Sequence, residues 1–189
     1  VVTAIRVALG NSPTPNPSRK REGSQAAQSS PLPLAGGVGG EPELPNGEIL
    51  TARHVLTPHP GEFARLAPDL ASVPREEAAS QFTGRNSATL LLKGSRTIVT
   101  RQGAPLWCNS TGTPGMATGG QGDLLAGVIG ARLAIGDPPV QAAALSAWLC
   151  GRSAEIAMNE PSISEESLAP SDVLHFLGAA FRDWKTSRR

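Results

Sequence analysis

The residues best suited to chemistry form a glycine-rich stretch that ends in one acidic side chain, residues 119–123 (GGQGD). Apolar residues follow at helical spacing, so we predict a helix from Asp123 to about Leu133. Glycine lets a backbone approach a ligand closely. The first turn of a helix adds unpaired N–H groups and the positive end of the helix dipole. The stretch therefore predicts an anion-binding helix terminus.

Asp123 is the candidate catalytic residue of this stretch. An acid at the positive end of a helix stays ionised, and it can take a proton from a hydroxyl while glycine amides stabilise phosphate charge. That combination suits phosphoryl transfer to an alcohol. The spacing is neither that of a P-loop, GxxxxGK[ST], nor that of GxGxxG. From residues 119–123 alone, a glycine-rich turn closed by a capping Asp explains the pattern equally well.

Strand and helix patterns alternate from about residue 53, which predicts an α/β layered fold. Apolar or β-rich runs predict strands at 53–57, 88–92, 97–100 and 105–108. Helices are predicted at 61–67, 75–82 and 123–133, from Pro138 or Pro139 to 158, and from an N-cap at Ser171 onward. Two apolar stripes are expected to be buried, one formed by Leu124, Leu125, Val128, Ile129 and Leu133 and one by Val173, Leu174, Leu177, Phe181 and Trp184. Gly127 and Gly130 are expected to permit close packing of their helix.

The composition argues against several classes of protein. A chain of 189 residues is expected to form one domain, and a net charge of +1 with 17% charged residues gives no electrostatic basis for binding nucleic acid. No apolar run reaches the roughly 18–20 residues that a membrane span needs. Cys108 and Cys150 belong to no CxxC motif, which predicts reduced thiols in a cytoplasmic protein.

Residues 10–47 are rich in Pro and Gly and lack apolar periodicity, so we predict that they are disordered. When residues 14–23 are paired in reverse order with residues 31–40, every pair from Thr14/Gly40 to Gly23/Pro31 allows complementary codons. The next pair on either side, Pro13/Glu41 or Ser24/Ser30, does not. Our hypothesis is that 14–40 translates an inverted DNA repeat, so that 1–50 is a spurious segment. An ordinary Pro/Gly-rich linker is the alternative, and the nucleotide sequence of the gene decides between the two.

From residue 53 to 184 the sequence resembles the ADP/ATP-dependent NAD(P)H-hydrate dehydratases of the ribokinase-like superfamily. The matching segments, in order, are TPHPGE (57–62), LLKGSRT (91–97) and NSTGTPGMATGGQGDLLAGVIGA (109–131), with a weaker match in ESLAPSDV (166–173). The resemblance implies a ribokinase-like layered sheet with flanking helices. It also implies a lyase reaction of metabolite repair, in which ADP or ATP phosphorylates the ring hydroxyl of a hydrated nicotinamide cofactor. Loss of phosphate then restores NADH or NADPH.

The resemblance further assigns roles to single residues. Asp123 would be the proton acceptor, and Asp123 and His59 would contact the hydrate. The nucleotide would be held by the backbone amide of Gly122 and by Lys93, Gly94, Ser95, Arg96 and Thr97. Mg²⁺ is the implied cofactor, and Glu62 lies where related kinases place an acid that tunes it through water, but no metal ligand is assigned. Taken singly, His59 also fits a turn, Lys93 a solvated hairpin, and Glu62 the first turn of a helix.

The family's domain normally begins well before TPHPGE, and nothing in residues 1–50 resembles that preceding part, although 1–9 (VVTAIRVAL) is compatible with a strand. The chain also begins at Val1 rather than Met. We therefore expect a partial domain at 51–189, truncated in its N-terminal half, whose exposed sheet edge favours a homo-oligomer. Two alternatives stay open. One is a small-alcohol kinase of the same superfamily, which would share the glycine–acid stretch but not TPHPGE, and the other is a non-catalytic remnant.

Overall fold

The computed structural model describes residues 4–6 and 50–187. Residues 10–47, for which the sequence predicts disorder and an inverted repeat, lie outside the described residues, and both statements remain predictions.

Strands and helices lie close to the places that the sequence patterns predict, but they follow one another in groups of two or three rather than in strict alternation. The strands are β1 (Ala4–Arg6), β2 (His54–Leu56), β3 (Thr89–Leu92), β4 (Ile98–Thr100) and β5 (Trp107–Cys108). The helices are α1 (Pro60–Leu66), α2 (Arg75–Arg85), α3 (Gln121–Ala134), α4 (Pro139–Ala157) and α5 (Pro170–Thr186), with short 3-10 turns at Pro68–Leu70 and Pro114–Met116.

The strands form one mixed sheet in the order β1-β2-β3-β4-β5. β2 and β3 are parallel, whereas the other three neighbouring pairs are antiparallel. With these directions β2, β3 and β5 end, and β4 begins, at the same edge of the sheet, which we call the site edge. The segments 57–62, 93–97 and 109–120 all adjoin the site edge. Sheet topology thus collects the three stretches that carry the sequence motifs.

Helices cover both faces of the sheet, so the central strands are apolar on both sides. Val55, Leu91 and Val99 belong to one core cluster with the buried side chains of α3, α4 and α5. Leu90 and Leu92 belong to the other, with α1 and α2. A strand buried on both faces needs no polar alternation, which explains the continuous apolar run at 88–92.

Two predicted helix starts are wrong by one or two residues. α3 begins at Gln121 rather than Asp123, with Gly120 as its N-cap. α5 begins at Pro170 with Ala169 as N-cap, and Ser171 lies inside the first turn. Here the carboxylate of Asp172 accepts the Ala169 N–H at 2.8 Å, and this cap replaces the one expected from serine.

Two packing expectations are also wrong. Leu174 is 57% exposed, because α5 turns Val173 rather than Leu174 into the core. Gly127 and Gly130 permit no close approach, since a Cβ on either would meet no atom of another element within 4 Å. The close approaches that require glycine lie elsewhere, at the loop before α3.

Candidate active site

The TPHPGE motif folds as the end of β2 and the first turn of α1, and its polar residues cap that helix. Pro60 occupies the first helical position, where its missing N–H costs nothing. Nδ1 of His59 accepts the N–H groups of Gly61 and Glu62 at 3.1 and 3.2 Å. In return, Oε2 of Glu62 accepts the His59 N–H at 2.8 Å. This reciprocal capping box fixes both side chains.

The capping box also sets the chemistry that His59 can offer. Because Nδ1 accepts hydrogen bonds, the neutral imidazole carries its proton on Nε2. The His59 side chain is 50% exposed, with Nε2 3.7 Å from Oε1 of Glu62. His59 therefore presents an oriented, solvent-accessible N–H donor at the site edge. The turn and helix-cap alternatives for His59 and Glu62 are both present in the fold, and they hold these side chains in place.

The carboxylate of Glu62 interacts with both His59 and Lys93 at the start of α1. Burial of the side chain opposes its ionisation, but the His59 N–H and the charge of Lys93 together hold the pKa of Glu62 below its ordinary value. Nζ of Lys93 lies 3.6 Å from Oε2 of Glu62. The ion pair is partly screened from water, since the two side chains are 26% and 11% exposed. It holds Lys93 beside the start of α1.

Lys93 joins the three motif segments. Its backbone N–H donates to the carbonyl of Pro58 at 2.9 Å, which ties the end of β3 to TPHPGE. A Cβ placed on Gly122 would lie 3.4 Å from Nζ of Lys93. The ammonium group therefore lies at the first turn of α3, where a cation and helix N–H groups can share an anion.

The N-terminus of α3 is built on a glycine for two reasons. Gly120 has φ of 87° and ψ of −17°, a left-handed conformation that suits glycine. A Cβ there would also lie 3.0 Å from Cγ of Pro170, at the start of α5. The first intrahelical bond runs from the Leu124 N–H to the Gly120 carbonyl at 3.0 Å. The N–H groups of 121–123 precede it and have no carbonyl partner within the helix.

Asp123 differs from the acids at the same position of two other helices. Glu62, Asp172 and Asp123 are each the third residue of a helix. Glu62 and Asp172 accept the N–H of their N-cap residues, both at 2.8 Å. Within residues 50–187, no hydrogen bond or ion pair engages the carboxylate of Asp123, which is exposed.

The backbone of the N-cap explains this difference. His59 and Ala169 are extended, with ψ of 168° and 157°, which is the usual N-cap conformation. Gly120 is left-handed, so its N–H has another direction, and Asp123 is not used as a cap. The sequence leaves open that Asp123 caps the helix, but in the structure Asp123 does not act as a cap.

The loop that leads to α3 is fixed on α4. The side-chain amide of Asn109 donates to the carbonyls of Thr111 and Ala147 at 3.0 and 3.3 Å. Thr111 Oγ1 donates to the Trp148 carbonyl at 3.0 Å. A Cβ on Gly151 would lie 2.6 Å from the backbone carbon of Thr111, so glycine is needed where the loop crosses α4. The glycine stretch is thus held on a rigid helix.

Arg75 is a residue of this region that the sequence patterns do not reveal. Its Nη2 lies 3.3, 3.2 and 3.3 Å from the carbonyl oxygens of Leu92, Lys93 and Arg96. The sequence shows Arg75 only as the first residue of a helix, and the contact spans 17 to 21 positions. No local signal in the sequence indicates such a partner.

The described residues also bear on the implied Mg²⁺. No group of three or more His, Cys, Asp or Glu side chains that could hold a metal occurs in 50–187. An oxygen donor is nevertheless present at the site edge, as the carboxylate of Glu62 beside Lys93. Mg²⁺ commonly binds through one or two carboxylates together with phosphate oxygens and water. One carboxylate, acting directly or through water, fits a Mg²⁺ ion that a nucleotide carries into the site.

The described residues form an α/β fold in which a glycine-capped helix start and the ammonium group of Lys93 lie at one edge of a mixed sheet. Solved structures of the ribokinase-like fold superpose on it. The chain belongs to the NAD(P)H-hydrate dehydratase family, whose family model matches residues 44–175. The resemblance stated from the motifs is therefore confirmed.

Individual relatives agree with this assignment. The bifunctional NAD(P)H-hydrate repair enzyme Nnr of Gloeobacter violaceus is 41% identical over 128 residues, which are 62% of this chain and 25% of that enzyme. The ADP-dependent (S)-NAD(P)H-hydrate dehydratase of Neisseria meningitidis is 38% identical over 118 residues, 61% of this chain and 40% of that enzyme.

Among solved structures, the ADP/ATP-dependent NAD(P)H-hydrate dehydratase of Bacillus subtilis, co-crystallised with ATP/Mg²⁺, superposes with a TM-score of 0.61 at 29% identity. The match covers 68% of this chain and 47% of the Bacillus chain. The chain thus spans between a quarter and about half of the length of these relatives. Within the described residues, no helix combines the length and the apolar character that crossing a membrane requires.

Proposed function

We propose that this chain carries the nucleotide-dependent dehydration of hydrated NADH and NADPH. The ring hydroxyl attacks the terminal phosphorus of ADP or ATP, so that an O–P bond forms and the bond to AMP or ADP breaks. The phosphorylated ring then loses phosphate, together with a proton from the neighbouring ring carbon, and the double bond of the reduced nicotinamide returns. Phosphorylation is needed because hydroxide is a poor leaving group and phosphate a good one.

The observation that carries this proposal is the unengaged carboxylate of Asp123 at a helix terminus rich in N–H donors. A general base must be free to accept the hydroxyl proton while it stays within reach of the phosphate. Glu62 and Asp172 are committed to helix caps, whereas Asp123 is not. In the proposal Asp123 takes the proton and contacts the hydrate, and the amide of Gly122 stabilises charge on the transferring phosphate.

The surrounding residues support binding of the two substrates. Lys93 and the following residues, Gly94, Ser95, Arg96 and Thr97, would hold the nucleotide, since the ammonium of Lys93 already lies beside the first turn of α3. His59 would donate Nε2–H to the hydrated nicotinamide. Mg²⁺, when bound, would offset negative charge on the phosphates. Glu62 would orient Lys93 and, through water, the metal.

The test is a turnover assay on the full chain with hydrated NADH, ADP or ATP, and Mg²⁺. Dehydration restores the reduced nicotinamide, so absorbance at about 340 nm should rise. Asp123→Asn should abolish the rise while ADP binding by calorimetry largely survives. Asp172→Asn, the same change at the third position of α5, is the matched control and should stay active.

Other outcomes would overturn the proposal. A stable phosphorylated product without the rise in absorbance would assign a small-alcohol kinase. Absence of both turnover and heat of ADP binding would assign a non-catalytic remnant. Equal loss of turnover and of ADP binding in Asp123→Asn would make Asp123 structural.

Two wider properties belong to the same proposal. We place the reaction in the cytoplasm, where ADP and ATP are available and where free thiols such as Cys108 and Cys150 stay reduced.

We also propose that the chain forms a homo-oligomer. Light scattering on the purified chain would distinguish an oligomer from a monomer.

A further inference from the structure

The guanidinium of Arg75 lies beneath the loop that connects β3 to β4. Its Nη2 is within 3.2–3.3 Å of three carbonyl oxygens, those of Leu92, Lys93 and Arg96. These carbonyls come from both ends of the loop, so one cationic group gathers them. Hydrogen bonds from a charged donor are stronger than neutral ones. Arg75 therefore fixes the backbone conformation of the loop rather than a single contact.

The side chain of Arg75 adjoins a cleft on one side and the loop backbone on the other. It lines a cleft together with Pro60 and Phe63 of α1, so it lies between the TPHPGE helix and the loop. Gly94 has φ of 156°, and a Cβ on it would lie 2.6 Å from Nη2 of Arg75. The loop backbone thus passes directly over the guanidinium, in a position that only glycine allows.

The direction of the carbonyls determines what the loop offers on its other side. In a trans peptide the C=O and N–H groups point in opposite directions. Because the carbonyl of Lys93 points to Arg75, the N–H of Gly94 points away from it. The peptide that joins Arg96 and Thr97 is oriented in the same sense. Arg75 consequently turns two loop N–H groups outward, where a phosphate can accept them.

We infer that Arg75 is a positioning residue for the nucleotide. Arg75 does not contact the nucleotide, but it holds residues 92–97 in the conformation that binds phosphate. This inference rests on the proposed function, because the ligand is the ADP or ATP of that reaction. Arg85, on the same helix, is the natural contrast. It pairs with Asp69 at the surface, and both side chains are more than half exposed.

The experiment compares Arg75→Gln, Arg75→Lys and Arg85→Gln with the full chain, using ADP as the probe in calorimetry. Loss of charge-assisted bonds to the loop should weaken ADP binding at least about tenfold in Arg75→Gln. Arg75→Lys keeps a cationic donor and should recover part of the affinity. Arg85→Gln should bind like the unchanged chain, since an exposed ion pair contributes little.

A purely structural role is distinguished by kinetics and hydrogen exchange. The inference requires that the KM for ADP rise while kcat at saturating ADP and the KM for the hydrate stay within about threefold. Amide exchange should accelerate in 93–97 in Arg75→Gln and not in Arg85→Gln. Equal ADP affinity in Arg75→Gln and the unchanged chain would overturn the inference and leave the proposed function standing. If the unchanged chain binds ADP but catalyses no dehydration, and Arg75→Gln weakens that binding, the inference is supported and the proposed function is refuted.

Discussion

Glu62→Gln removes the negative charge that contacts His59 and Lys93, and its effect on the free energy of unfolding can be worked out from the structure. The amide oxygen of Gln can still accept the His59 N–H, so the shape of the capping box survives. What is lost is the charge in a 2.8 Å hydrogen bond and in a 3.6 Å ion pair with Lys93. A hydrogen bond to a charged group is worth about 1.5–3 kcal/mol, against about 0.5–1.5 for a neutral one. The partly exposed ion pair adds less than about 1 kcal/mol.

We therefore expect Glu62→Gln to lower the free energy of unfolding by about 1–3 kcal/mol at pH 7. The loss should depend on pH. The pKa of Glu62 is lowered in the folded chain from an ordinary value of 4.5, so the unfolded state binds more protons below that pH. The stabilisation from its charge is complete above pH 4.5 and disappears as the pH falls through the lower, folded pKa.

Urea denaturation of the unchanged chain and of Glu62→Gln, repeated from pH 7 to pH 3, measures this difference. Glu166→Gln is the control, because the pKa of Glu166 is also lowered, mainly by its bond from Ser164, but its side chain is fully exposed. Because solvent screens this exposed contact, the control should change the free energy of unfolding much less than Glu62→Gln does at every pH. A Glu62→Gln effect of the same size at pH 3 and pH 7 would refute the electrostatic argument and leave only a packing effect.

Two further predictions concern other parts of the fold. Gly151→Ala places a Cβ 2.6 Å from the Thr111 backbone and should destabilise the chain by about 1–3 kcal/mol. In Gly127→Ala the new Cβ has no neighbouring atom within 4 Å, so this variant should instead stabilise α3 by about 0.5–1 kcal/mol. Thermal unfolding of the two variants and the unchanged chain measures both effects. Burial raises the pKa of Cys150 to about 12, whereas Cys108 is exposed. Iodoacetamide at pH 8 should therefore modify Cys108 alone in the folded chain, as mass spectrometry of its peptides would show; modification of Cys150 at the same rate would contradict the buried position.

The parts of the fold that follow from local patterns could be predicted from the sequence. The run at 88–92 predicts a buried strand because it is apolar without alternation, and β3 is covered on both faces. The helix predicted at 61–67 is α1, which begins one residue earlier, at Pro60, and Glu62 lies in its first turn as the sequence allows. Sequence order and the parallel pairing of β2 with β3 then bring this turn beside Lys93.

The rest could not be predicted, because it depends on contacts between distant segments. The left-handed Gly120, packed against Pro170, moves the start of α3 to Gln121 and leaves Asp123 without a capping role. The spacing of glycines allows both outcomes. Arg75 likewise looks like an ordinary helix residue until β3 and β4 bring three carbonyls to it. Leu174 fits the helical stripe, but α5 packs against α4 with Val173 in the core, and this packing leaves Leu174 exposed.

The account depends most on the carboxylate of Asp123 acting as a base, and one comparison tests this directly. The rate of NADH recovery from its hydrate with ADP and Mg²⁺ is measured for the unchanged chain, Asp123→Asn and Asp172→Asn. We predict full activity in Asp172→Asn and a loss in Asp123→Asn of at least about a hundredfold, with ADP affinity changed little. Undiminished recovery of NADH in Asp123→Asn would contradict the central claim.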